Sequence, residues 1–135
     1  MPNHFVLDTH AFVWFLDNDP ALSDRAAAVF DEADASLYFP AICMLEAFNM
    51  VRKRRTMLTI ADLVQAIRSE ARMSVLPLDQ AGAMIGGTLD ELSGIHDRAI
   101  VAATMQLAAE MPSGDVWLVT KDQEIHEGGR VKVLW

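Results

Sequence analysis

Two stretches decide the fold: Phe5-Val6-Leu7-Asp8-Thr9 near the start and Val116-Trp117-Leu118-Val119-Thr120 near the end. Each is a short apolar run that stops abruptly at a polar residue. Such runs predict central parallel strands covered on both faces, because a strand with one wet face would alternate apolar and polar residues. Working outward, Ser36-Leu37-Tyr38-Phe39, Ser74-Val75-Leu76 and Val131-Lys132-Val133-Leu134 read as three further strands. Helical patterns fill the gaps. Asp8 or Thr9 caps a short helix through Phe12, Val13 and Leu16, and Ser23 caps an Ala-rich one over Asp24 to Ala33. Ile42 to Arg54 puts Ile42, Leu45, Glu46 and Asn49 on one face. Thr59 with Asp62 forms a capping-box-like start to a helix through Ile67 and Ala71, and Asp79 opens another through Leu92. His96 to Met111 carries Ile100, Ala103, Thr104 and Leu107 at helical spacing, ended by Pro112-Ser113-Gly114. Strands alternating with helices predict an α/β fold: one domain over residues 1–135, with a central, mostly parallel five-stranded sheet flanked by helices.

Composition narrows the function classes. A chain of 135 residues that is 52% hydrophobic and 22% charged builds one buried core and is not disordered. Its longest apolar run, Leu37 to Leu45, contains Pro40 and stops at Glu46, well short of the ~20 residues that cross a bilayer. Asp8 interrupts the N-terminal apolar stretch and no basic segment precedes it, so neither a signal peptide nor a membrane association is expected. The single cysteine, Cys43, has no internal partner and reads as a small apolar residue, so a reducing, cytoplasmic setting is expected. Eleven Lys and Arg against nineteen Asp and Glu give a net charge of -8, which argues against a general coat for nucleic acid. Yet four of those cations are consecutive, Arg52, Lys53, Arg54 and Arg55, and can meet a polyanion locally. Carboxylates near a bound phosphate would then need neutralising, and a metal ion is the usual means.

Four acids fall where an α/β sheet keeps its sites, beyond the carboxyl ends of the strands. Asp8 directly follows the first strand, and Asp122 lies three residues past Val119. Glu46 sits in the first turns of the helix after the second strand, and Asp97 in the first turn of the helix before the fourth. An Asp at such a position is often only a helix cap. Glu46 is different, since it interrupts the apolar segment Ile42-Cys43-Met44-Leu45 and Ala47-Phe48, where a buried, unpartnered carboxylate costs several kcal/mol or shifts its pKa upward. Two carboxylates ~4 Å apart repel by about 4 kcal/mol at an effective dielectric near 20. Four together call for a cation. Mg²⁺ is the natural choice, with Mn²⁺ as a substitute, because the donors are all oxygen and no Cys/His spacing suits zinc. An all-carboxylate Mg²⁺ site points to phosphodiester chemistry.

The same residues carry a resemblance. Leu7-Asp8-Thr9-His10-Ala11-Phe12-Val13-Trp14-Phe15-Leu16 resembles the opening of PIN-domain ribonucleases, in particular the VapC-type toxins of bacterial toxin–antitoxin pairs. Glu46, after Ala41-Ile42-Cys43-Met44-Leu45 and before the basic Arg52–Arg55 run, is similar to the second motif of that family. Asp97-Arg98-Ala99-Ile100-Val101-Ala102-Ala103-Thr104 resembles the third, Leu118-Val119-Thr120-Lys121-Asp122 the fourth, and the closing Val133-Leu134-Trp135 is also typical. The likeness runs in order over the whole chain. It implies a Mg²⁺-dependent endoribonuclease with Asp8, Glu46, Asp97 and Asp122 as catalytic, metal-holding acids and Thr120 supporting the fourth. It also implies an RNA substrate, a cognate antitoxin and a homodimer. Two places depart from the pattern: Leu45 stands where many relatives have Trp, and Ser93-Gly94-Ile95-His96 lacks the Asp-Pro-Phe often found before the third acid.

The remaining features have plainer readings. The run Arg52–Arg55 contacts RNA phosphates, docks an acidic antitoxin tail, or is a solvated helix end whose cations complement the dipole. His96, beside Asp97, is placed to assist a leaving group or is simply exposed; His4, His10 and His126 read as incidental. Gly82, Gly86 and Gly87 match neither dinucleotide nor P-loop spacing. Two other functions compete with the ribonuclease. A catalytically inactive PIN fold that binds protein or RNA has no reason to keep four mutually repelling acids. A phosphoaccepting receiver domain needs paired acids after its first strand and an Asp closing its third, whereas Leu76 is followed by Pro77-Leu78-Asp79, which suits a helix cap.

Overall fold

A computed structural model describes residues 3–112 and 114–135. Five strands form one sheet: β1 (His4–Leu7), β2 (Ser36–Pro40), β3 (Met73–Leu76), β4 (Val116–Val119) and β5 (Lys132–Leu134). Seven helices connect them: α1 (Thr9–Asp17), α2 (Asp24–Val29), α3 (Ala41–Arg52), α4 (Ile60–Ser69), α5 (Gln80–Gly86), α6 (Ile95–Glu110) and α7 (Gln123–Gly128). The strand order is β3-β2-β1-β4-β5, and every neighbouring pair is parallel. The expected sheet is therefore present, parallel throughout.

The order explains the two deciding stretches. β1 and β4 lie at the centre, paired from His4↔Val116 to Leu7↔Val119, with a strand on each outer side. Phe5, Val6, Leu7, Leu118 and Val119 are accordingly buried, each contributing about 1.5–3 kcal/mol from its removal from water. α6 supplies much of the layer that covers them: Ile100, Val101, Ala102, Ala103, Thr104 and Leu107 are all buried. The chain builds β1, β2 and β3 in one direction from the centre and then β4 and β5 in the other. The switch point, where a ligand crevice opens in such sheets, thus falls between the carboxyl ends of β1 and β4.

Several boundaries differ from expectation. The second helix stops at Val29, not Ala33, because the chain tightens into i→i+3 turns (Asp31 N–H to Ala28 O, Glu32 N–H to Val29 O) as Phe30 stacks on Phe15 at 3.8 Å. α4 ends at Ser69, where Glu70 turns extended and binds Arg72. α5 ends at Gly86, not Leu92, because Gly86 packs against the Arg98 backbone and Thr88 closes the turn with a hydroxyl bond to the Ile85 carbonyl. Asp79 caps α5 by accepting the Gly82 N–H at 2.8 Å, as a cap rather than a phosphoacceptor site would. Thr59 and Asp62 form the full capping box. The Pro112-Ser113-Gly114 stop lies partly outside the described residues, since Ser113 is not among them; α6 itself ends at Glu110. α7 was not anticipated. Among the described residues no helix is long and apolar enough to cross a membrane.

Candidate metal centre at the sheet switch point

Asp8 is fixed from both sides of the switch point. As N-cap of α1 its Oδ1 accepts the Thr9 N–H at 2.7 Å, while Oδ2 accepts the Thr120 hydroxyl at 2.6 Å from the end of β4. The Asp8 N–H is itself bonded to the Val119 carbonyl, so the β1–β4 ladder continues up to the site. Burial pushes the Asp8 carboxyl above the ordinary carboxylate range; the bonds from Thr120 and Thr9 and the nearby His10 pull it back, and the Asp122 charge adds a smaller upward push.

Thr120 is fully buried and bridges the first and fourth acids. Its hydroxyl is donated to the first acid, Asp8, and the same oxygen accepts the backbone N–H of Asp122 at 3.1 Å. It thus holds the fourth acid through the main chain and not at its carboxylate. Asp122 caps α7, its Oδ1 accepting the Ile125 N–H at 2.9 Å.

Glu46 arrives with α3, which begins directly after β2 with no intervening loop. Its Oε1 is buried without a hydrogen-bond partner among the described residues, and His96 Nδ1 stands 3.8 Å away. Desolvation raises the Glu46 pKa; His96 opposes that, while the charges of Asp8 and Asp97 reinforce it. Asp97, in the first turn of α6, is pushed up to about 6 by burial first and then by the charges of Asp122, Asp8 and Glu124. The loop before it is pinned by Glu124, which accepts from both the backbone N–H and the hydroxyl of Ser93, and by Arg98, whose Nε donates to the Leu92 carbonyl at 2.8 Å. Gly94 caps α6 where a Cβ would lie 3.2 Å from Asp97 Oδ2. Glycine at this position therefore leaves room for the acid.

All four acids line one open cleft of about 330 Å³, together with His10, Trp14 and Lys121. Burial first, and mutual repulsion after it, raises the carboxyl pKa values of Asp8, Glu46 and Asp97. Among the described residues no three metal-ligating side chains stand close enough to form a ready-made cage. The donor set still fits a hard divalent ion: every candidate ligand is a carboxylate, Glu46 Oε1 is buried and unpartnered, and Mg²⁺ typically takes only one or two protein carboxylates and keeps its waters.

The other sequence candidates occupy the rim. Of the basic run, Arg52 alone lines an adjoining hollow of about 290 Å³ that it shares with Glu46 and His96. Lys53, Arg54 and Arg55 follow on the exposed turn after α3, where Arg54 adopts a positive φ of 55°. None of the four has a carboxylate within 4 Å among the described residues. Leu45, where the sequence departs from the expected pattern, is 63% exposed and packs little. His4 bonds Tyr38 and His126 bonds the Thr120 carbonyl. Sequence reasoning missed His10, Trp14 and Lys121 as cleft residues. The signal for two of them was the i, i+4 spacing of His10 and Trp14 behind Asp8, which puts both on one face of α1; for Lys121 it was adjacency to Asp122.

The comparisons with known proteins agree with this architecture. The PIN domain family model matches residues 5–130. Among solved structures, the chain is similar to FitAcB from Neisseria gonorrhoeae, with TM-score 0.70 and 19% identity over 97% of this chain and 96% of that one. It is also similar to VapBC2 from Rickettsia felis bound to a promoter DNA fragment, with TM-score 0.69 and 14% identity over 97% of each chain. DNA-bound VapBC from Salmonella typhimurium follows, with TM-score 0.67 and 17% identity over 99% and 98%. No curated protein sequence matches. With a family match over nearly the whole chain and the acids at the switch point of a parallel five-stranded sheet, the chain belongs to the PIN-domain family.

Proposed function

We propose that this protein is a divalent-metal-dependent endoribonuclease, the toxin of a toxin–antitoxin pair, with Asp8, Glu46, Asp97 and Asp122 holding Mg²⁺ or, in substitution, Mn²⁺, one or two of them directly and the others through its waters. The observation that carries the reading is the convergence of four carboxylates from four separate chain segments on one cleft. A bound Mg²⁺ supplies Lewis-acid stabilisation of phosphoryl charge and makes water a stronger nucleophile at neutral pH. The chain's own part is to present the acids. Thr120 favours the ionised form of Asp8 and fixes its orientation. Gly94 leaves room for the Asp97 carboxylate, and the Ser93–Glu124 bonds pin the loop before it. His96, 52% exposed at the rim, is placed to meet a leaving group, and Arg52–Arg55 offer cations to the RNA backbone or to an acidic antitoxin segment.

The partner assignments belong to the same proposal. The similar structures from Rickettsia felis and Salmonella typhimurium are VapBC complexes bound to DNA. In this chain Leu45, Leu78, Met84 and Ile95 are exposed apolar side chains around α3, α5 and α6, a surface suited to a second copy or an antitoxin. One experiment separates this function from an inactive PIN-fold binding module. Protein freed of any partner is incubated with total RNA with and without Mg²⁺ or Mn²⁺, and the product ends are mapped. Discrete metal-dependent cuts are expected; cleavage that persists in EDTA, or no cleavage with either ion, would refute the proposal.

A further inference from the structure

The wall of the cleft that carries no acid has a composition of its own. His10 and Trp14, one turn apart on α1, pack with tilted rings 5.0 Å apart, and Trp135 meets the Trp14 indole edge-on at 6.0 Å. Above the indole stands the ammonium of Lys121, 5.7 Å from the ring centroid. Lys121 lines a cleft with four carboxylates yet pairs with none within 4 Å among the described residues. Its charge is parked over a π face instead, an attraction of only about 0.5–1 kcal/mol at an exposed site. A phosphate entering the cleft would compete easily for that ammonium.

An indole held by two aromatic neighbours and a cation free to turn toward solvent match the two repeating parts of one kind of ligand, a flat base and an anionic phosphate. Resting on the ribonuclease reading, we infer that Trp14 and Lys121 form a nucleotide subsite next to the reacting phosphodiester. Lys121 swings off the indole to take a phosphate, and the π face of Trp14 that it vacates stacks the base of the flanking nucleotide attached to that phosphate. The face of a paired base is already covered by its neighbours in a duplex. The subsite therefore selects single-stranded RNA, with tolerance for base identity, since every base offers a π face. Trp14 and Lys121 are binding residues in this account; neither touches the reacting bond.

Binding can be read without cleavage in an Asp8→Asn chain, using three fluorescein-labelled probes: single-stranded A12, the corresponding abasic 12-mer, and the A12·U12 duplex. Anisotropy titrations should show A12 bound ~5- to 160-fold more tightly than the abasic strand, the range expected for base–aromatic stacking. Adding Trp14→Leu should remove that preference while leaving abasic binding unchanged, and Trp14→Phe should restore most of it. Lys121→Met, which leaves the packing of α1 intact, should weaken A12 and the abasic strand by the same factor and flatten the salt dependence by about 0.7 per decade. Unchanged discrimination in a folded Trp14→Leu chain, duplex bound as tightly as single strand, or no binding to any probe would overturn the inference. Metal-dependent cleavage by the parent with unchanged probe discrimination would reject the subsite alone. Intact discrimination in a chain that never cleaves would reject the ribonuclease reading alone.

Discussion

Thr120→Val tests the buried hydroxyl that joins the two central strands at the cleft. Valine has nearly the same shape, so the substitution removes hydrogen bonds without opening a cavity. Two are lost: the 2.6 Å bond to Asp8 Oδ2 and the 3.1 Å bond from the Asp122 N–H. A bond to a charged group contributes about 1.5–3 kcal/mol and a neutral one about 1 kcal/mol. Relaxation of Asp8 toward water reduces the total to about 2–3 kcal/mol. With an unfolding entropy of about 2.1 cal/mol/K per residue over 135 residues, each kcal/mol moves Tm by about 3.5 °C, so a fall of roughly 7–11 °C is expected at pH 7. The sign with pH follows from the charge. The Thr120 bond lowers the Asp8 pKa, so its extra stabilisation is present while Asp8 is ionised and is lost as pH falls through the Asp8 titration. The gap between variant and parent should therefore narrow to about 1 kcal/mol in acid. Calorimetric scans of parent, Thr120→Val and Thr120→Ser over pH 3–8 measure this, with Ser expected to keep most of the effect. A Val variant within 2 °C of the parent at pH 7, or a gap that widens in acid, would refute the reasoning.

Further outcomes follow from the same geometry. Asp97, at about 6, is a raised carboxyl: metal-free protein should lose stability as pH rises from about 4 through 6, and Asp97→Asn should remove that loss in pH-dependent thermal scans. Mg²⁺ affinity should correspondingly weaken below pH 6, measured by calorimetry. Gly94→Ala, which sets a Cβ 3.2 Å from Asp97 Oδ2, should reduce Mn²⁺ affinity by about tenfold with little change in Tm. Replacing Arg52, Lys53, Arg54 and Arg55 together by Ala should lower RNA cleavage or antitoxin affinity and flatten its salt dependence; an unchanged protein in both assays would make the run a solvated helix end.

Much of the fold was legible because burial on both faces writes itself as uninterrupted apolar runs, as in Phe5–Leu7 and Val116–Val119. Helix starts were legible from local caps: Asp8, Ser23, Thr59 and Asp79 all accept bonds from their own helices. Helix ends were not, since they depend on distant partners. The Phe15–Phe30 stack tightens the end of α2, and the Arg98 backbone packs against Gly86. The convergence of the acids followed from strand ends and topology. What stayed hidden were contacts across the switch point, such as the Thr120 hydroxyl choosing Asp8, Glu124 reaching Ser93, and Lys121 settling over Trp14. Each joins residues between 31 and 112 positions apart, or depends on a side-chain rotamer, and no local pattern encodes it.

The four carboxylates that share the cleft are proposed to hold a divalent ion. Isothermal titration of Mn²⁺ into the parent and Asp8→Asn chains at pH 7.5, with folding checked by circular dichroism, tests it most directly. Saturable binding by the parent that is lost or weakened at least tenfold in Asp8→Asn is the predicted result. No heat of binding in the parent, or equal affinity in both folded chains, would contradict it.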